Sequence, residues 1–288
     1  MRLLRCLLFS AFLLLAATGV IAAELASVSG LNSLPAVAWS ELSHRDLTPL
    51  GSKALSIRAD DWKHAETAHF IYHYRQSHVA TPISVEAEFH YRVIMKELGR
   101  EEAAGGEKAH IYIFEKPANW EIFQLAGHLE PWTGGIQSGN SLFILRDPAY
   151  RFSDNSLGHE IVHLLVRRFY GTQVPLWLNE GFAQYASKNA HASFQRARGY
   201  LAKARSNGVP REKLFGLRTL TTMSYPPADQ VEAFYDQSER LVRFLIAADR
   251  ARFLELFVPE SGALAFDDAL EAKFVAYATN DAGSSPAD

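Results

Sequence analysis

The sequence predicts an α+β fold, with a small mixed sheet followed by a mainly helical C-terminal part. Three observations carry that expectation. Of the 288 residues, 48% are hydrophobic and 21% charged, the balance of a globular chain and not of a coiled coil, a collagen or a disordered segment. Runs rich in β-favouring residues lie in the first half, at 69–74, 109–114 and 141–145. From Ser156 onward, apolar residues recur instead at three- and four-residue steps. Strands with a helix among them, then helix upon helix, argue against a regular doubly wound sheet.

The chain opens with Arg2 and Arg5, then an apolar run through Leu7, Leu8, Phe9 and residues 12–17, the pattern of a secretory leader. Residues 1–22 are taken as signal peptide, with cleavage after Ala22 or, equally, after Ala23. The protein is therefore expected to be exported, to a periplasmic or extracellular compartment. Thr18 and Gly19 interrupt the apolar run near the lower length limit for a membrane helix, so no stable span is expected after cleavage. Arg2, Arg5 and Cys6, the only cysteine, leave with the leader, which takes the formal charge from −3 to −5 and removes the last thiol. Such mild acidity suits no phosphate backbone, so no nucleic-acid partner is expected. An exported chain without cysteine must rely on its core and not on disulfides.

Residues 23–65 read as an irregular lead-in, because Gly30, Pro35, Pro49 and Gly51 break their apolar clusters. The first strand, 69–74, carries Phe70, Ile71, Tyr72 and Tyr74. A helix follows over 82–98, with Thr81 as N-cap, Pro82 at its first position and Gly99 just past its end. Residues 109–114, Ala-His-Ile-Tyr-Ile-Phe, form a second strand, and 141–145 a third that could pair at the sheet edge with an extended peptide. Gly134-Gly135 and Gly139 read as a turn, since no Lys-Ser/Thr follows to make a phosphate loop. From Ser156, the stripe Leu157, Ile161, Leu164, Leu165 and Phe169 marks a helix ending at Gly171. A second begins at Pro175 and runs to about Asn189, with more helices at 192–204 and 229–248 and a disordered tail at 279–288.

The chemistry concentrates in His159-Glu160-Ile161-Val162-His163, an HExxH motif. Four helical steps of 100° bring His159 and His163 to within ~40° of eclipsed, about 6 Å apart along the axis, so both imidazoles can reach one ion. Glu160, offset by ~100°, stays beside that ion as a proton acceptor for a water it activates. The second helix carries Trp177-Leu178-Asn179-Glu180-Gly181-Phe182-Ala183. Sixteen residues separate His163 from Glu180, enough for the first helix to finish, for 171–174 to turn, and for the Glu180 carboxylate to return beside the histidines. Gly181 inside a helix costs ~1 kcal/mol against alanine, which close helix packing would offset while bringing Glu180 to ligand distance. Two histidines and a carboxylate suit zinc among the divalent ions. His69 and His73 share a strand face, but no third ligand accompanies them, so they read as ordinary strand residues.

With these motifs, and more loosely Tyr235-x-x-Ser238-x-x-Leu241-Val242, the chain resembles the gluzincin zinc metallopeptidases, in particular the peptidase MA-like domains of exported proteins. The resemblance implies a zincin-like fold with a catalytic domain over 66–258, followed by a C-terminal segment, 259–288. It implies one zinc per chain held by His159, His163 and Glu180, with Glu160 as general base and a peptide or protein as substrate. It also offers Tyr235 as the donor to the oxyanion, with Tyr225, in a loop before Pro226-Pro227, as the second candidate. No Gly-x-Met-Glu-Asn segment is present, so the likeness does not extend to the free-amino-terminus specificity of the aminopeptidases. A second reading keeps the zinc scaffold but has it bind peptides or envelope partners without cutting them.

Overall fold

The computed structural model describes residues 34–101, 106–131, 133–146, 155–200, 208–258 and 266–280. The leader and the tail beyond 280 lie outside the described residues. Five strands, β1 Lys63–Glu66, β2 Phe70–Tyr74, β3 Ala109–Phe114, β4 Gly135–Ser138 and β5 Ser141–Leu145, form one mixed sheet in the order β1-β2-β3-β5-β4. The inner pairs β2/β3 and β3/β5 are parallel, and the outer pairs β1/β2 and β4/β5 are antiparallel. This is an α+β, zincin-like architecture, and the outer strand on one side is β4, not Ser141–Leu145 as the sequence suggested. The apolar run of β5 is the reason for its inner place: Leu142, Phe143 and Ile144 are fully buried because helices cover both faces of the sheet.

Alternation along the strands divides the core. Ile111 and Ile113 of β3, with Leu142 and Ile144 of β5, face the larger cluster, built with α2 Ser77–Glu97, α4 Ser156–Tyr170 and α5 Leu176–Ala197. Tyr112, Phe114 and Phe143 point to the other face, under α1 Pro49–Ser56 and α3 Pro117–Gly127. There, Phe143 stacks on Tyr112 at 4.7 Å and on Phe123 at 4.9 Å between ring centroids. Each such buried ring contributes about 1.5–3 kcal/mol. The remaining helices, α6 Leu217–Thr222, α7 Val231–Ala248, α8 Arg250–Glu255 and α9 Asp268–Thr279, complete the helical C-terminal part. Among the described residues no helix is long and apolar enough to cross a membrane.

The stretch read as an irregular lead-in contributes α1 and most of β1 to the fold. Thr48 caps α1 by accepting the Gly51 N–H at 3.0 Å, with Pro49 at the first turn where its missing N–H costs nothing. Helix α2 begins at Ser77, five residues before Pro82, so Thr81 is not its N-cap. The Thr81 hydroxyl instead donates to the Ser77 carbonyl and accepts the Leu34 N–H. Helix α5 runs unbroken through the interruption expected near Asn189, since Ala190 and Phe194 are buried on one face.

Candidate metal centre

Helix α4 buries Leu157, Ile161, Leu164 and Leu165 in the larger core, which turns His159 and His163 toward a cleft on its other side. The two Nε2 atoms stand 3.0 Å apart. Gly171 ends α4 with φ of 78°, a conformation that glycine adopts without strain, and the chain returns as α5. Glu180 then places Oε2 at 3.3 Å from His159 Nε2 and 3.5 Å from His163 Nε2. Donors ~2.0–2.1 Å from a central ion at tetrahedral angles are separated by ~3.3 Å, so the triangle has the size that such an ion requires. His163 presents its other nitrogen, Nδ1, to Asn179 Oδ1 at 3.2 Å. The amide oxygen accepts only, which fixes the ring proton at Nδ1 and leaves the Nε2 lone pair facing the centre.

Charge follows the same logic. Burial opposes a charged His163, but the Glu180 and Glu160 carboxylates and the Asn179 hydrogen bond outweigh it and lift the ring to about 9. Burial likewise opposes the Glu180 carboxylate, yet His163 and His159 hold it well below the usual carboxylate range. The Glu180 and Glu160 carboxylates thus favour positive charge at the centre, met by a proton on His163 Nε2 or by a divalent cation in that proton's place.

Glu160 is buried beside them. Burial pushes its carboxyl above the ordinary value although the two imidazoles pull the other way, and a backbone hydrogen bond from Gln137 of β4 holds it. Gly135 of the same strand leaves room for it: a Cβ there would come within 3.1 Å of Glu160 Oε1. Tyr235, on α7, lines the same cleft of about 590 Å³ as the three donors, Glu160 and β4. Burial, then the charges of Glu180, Tyr225 and Glu160, pushes its hydroxyl up to about 12, so at neutral pH it remains a hydrogen-bond donor. Tyr225 is 70% exposed and lies in an adjoining groove that shares Tyr235 as a wall.

The structure thus brings His159, His163, Glu160, Glu180 and Tyr235 to one cleft and leaves Tyr225 outside it. His69 and His73 have other partners: His69 Nδ1 lies 2.5 Å from Glu88 Oε2, and His73 bridges His64 and His110 at 2.8 Å each. Gly181 does serve a close approach, but to α7 and not to α4; its added Cβ would meet the Ser238 carbonyl. Sequence reasoning missed Asn179, Gly135 and Gln137. Only Asn179 had a signal, since a ligating ring needs its second nitrogen fixed and this amide immediately precedes Glu180.

A sequence model of the peptidase MA superfamily matches residues 95–282, a span that contains every residue lining the cleft and leaves out strands β1 and β2 of the supporting sheet. No curated protein matches the chain.

Proposed function

The chain belongs to the peptidase MA superfamily, and from that premise we propose that it is an exported, zinc-dependent peptidase with Glu160 as general base. The observation that carries the reading is the triangle of His159 Nε2, His163 Nε2 and Glu180 Oε2, with edges of 3.0, 3.3 and 3.5 Å, opening on the cleft that also holds Glu160 and Tyr235. These three residues would hold a zinc ion, and the chemistry it would supply is Lewis acidity toward a water and a carbonyl oxygen.

The protein's own groups do the rest. Glu160 takes the proton of the attacking water and returns it to the leaving amine; its buried carboxyl, raised above the ordinary value, suits both roles. The Tyr235 hydroxyl, still protonated at neutral pH, donates to the oxyanion that forms as the carbonyl is attacked. Strand β4 supports an extended peptide: it is the outer strand beside β5 and lines the cleft. The same groups would also open other amides or esters that fit beside β4. Export rests on the leader-like residues 1–22.

The test is digestion of a mixed-peptide library by the mature protein, read by mass spectrometry with and without a chelator. New termini should appear, vanish on chelation and return with zinc. Bound zinc with no new termini would instead identify a scaffold that holds peptides or envelope partners uncut. N-terminal sequencing of the mature protein should begin at Ala23 or Glu24; a chain that keeps Met1 and stays in the cytoplasm would remove the export reading.

A further inference from the structure

A second group of metal-binding side chains lies behind the active-site helix. Glu86 and His90 are one turn apart on α2, and His191 comes from α5, the helix that carries Glu180. One ligand atom from each lies within 4.8 Å of the others. His90 supplies an independent observation: it is 0% exposed, and neither of its ring nitrogens makes a hydrogen bond to any described residue. Its Nδ1 faces the backbone of Gly158, where an added Cβ would come within 3.0 Å, so Nε2 is turned toward the group. Glu86 Oε1 lies 4.0 Å from that Nε2, too far for a hydrogen bond. A buried imidazole in this condition is strongly unfavourable unless something takes its lone pair.

We propose that Glu86, His90 and His191 form a second divalent-cation site, structural and separate from the cleft. Two atoms that bind one ion at ~2.1 Å can stand at most about 4.2 Å apart, so the Glu86–His90 pair is already within reach and small shifts of side-chain ends close the set. His191 is held at Nε2 by Gln195 at 3.3 Å, and its Nδ1 is buried. Arg146 Nη2 lies 3.8 Å from Glu86 Oε1; a carboxylate has two oxygens, and the second can face the guanidinium while the first takes the ion. Two imidazoles and one carboxylate select a borderline ion of the zinc class. Bound there, it ties α2 to the helix that positions Glu180.

Zinc titration of the full chain, with the bound metal counted per folded protein, tests this. The wild type should take two equivalents, His191→Gln one, the His159→Ala/His163→Ala double variant one, and the triple variant none. Glu86→Gln, a milder change than any at the buried His90, should weaken the remaining equivalent of the double variant at least tenfold. A double variant that keeps its near-UV circular dichroism but binds no zinc overturns the second site. So does a wild type whose one equivalent survives His191→Gln. Zinc that persists in the double variant and is lost with His191→Gln supports it, even if the cleft itself proves not to bind metal.

Discussion

Gly181 packs directly on the carbonyl of Ser238: a Cβ on the glycine would lie 2.5 Å from that oxygen and 2.7 Å from its carbon. The obstacle is backbone, so no side chain can rotate away. This contact sets how near the helix bearing Tyr235 comes to the helix bearing Glu180. Gly181→Ala should push the two apart, destabilise the protein by about 1–3 kcal/mol and reduce peptide cleavage. Urea unfolding and a peptide assay measure both, and an unchanged midpoint would show that the helices separate at no cost.

Glu160→Gln keeps the size of the side chain and its hydrogen bond to the Gln137 N–H, but cannot accept a proton. Hydrolysis should fall roughly 10²–10⁴-fold with zinc content unchanged. Wild-type turnover in this variant would mean that another group takes the proton.

Tyr235→Phe removes the hydroxyl from the cleft and leaves the ring packed on its helix. If that hydroxyl meets the oxyanion, kcat should fall about 10²–10³-fold with KM little changed. Tyr225→Phe, in the exposed neighbouring groove, should leave kcat near wild type. A reversed ranking of the two variants would transfer the role to Tyr225.

Asn179→Ala takes away the acceptor that fixes the His163 ring through Nδ1. Zinc affinity should drop about 10–100-fold. Competition with a chromophoric chelator reads this directly, and equal affinity would show that packing alone orients the ring.

Away from the cleft, Glu88 gives stability its acid limb. Burial would raise its carboxyl, but hydrogen bonds from the His69 ring, the Thr67 hydroxyl and the His69 backbone N–H hold it below the ordinary value of 4.5. A depressed folded value means that its stabilisation is complete above pH 4.5 and is lost as the pH falls through the folded value. Glu88→Gln should therefore lower stability at neutral pH and flatten its decline in acid. Parallel acid limbs in chemical denaturation would assign the decline to other carboxylates.

What the sequence revealed divides along physical lines. His159 and His163 are related by one helical turn, a local geometry that spacing alone specifies, and Glu180 needed only a second helix and a turn of ordinary length. Strands β2, β3 and β5 announced themselves because burial on both faces demands apolar runs. Strands β1 and β4, Lys-His-Ala-Glu and Gly-Ile-Gln-Ser, have no such run, and their neighbours' edges make them strands. The early start of α2 and the continuity of α5 likewise depend on what packs against them. Gly181 marked a close approach in the sequence, but only the fold showed that its neighbour is Ser238.

The turn between α4 and α5 has a consequence for folding as well as for chemistry. His163 and Glu180 are separated by sixteen residues in a sequence whose one cysteine, Cys6, lies far from both, so no disulfide can bridge these helices. An ion gripping both side chains would act as a reversible cross-link over that loop; a covalent bridge closing ~15 residues is worth about 3 kcal/mol in the chain-entropy model. Metal supply would then govern how long the folded chain survives, and starvation for the ion would expose the helical hairpin to proteolysis before substrate is met.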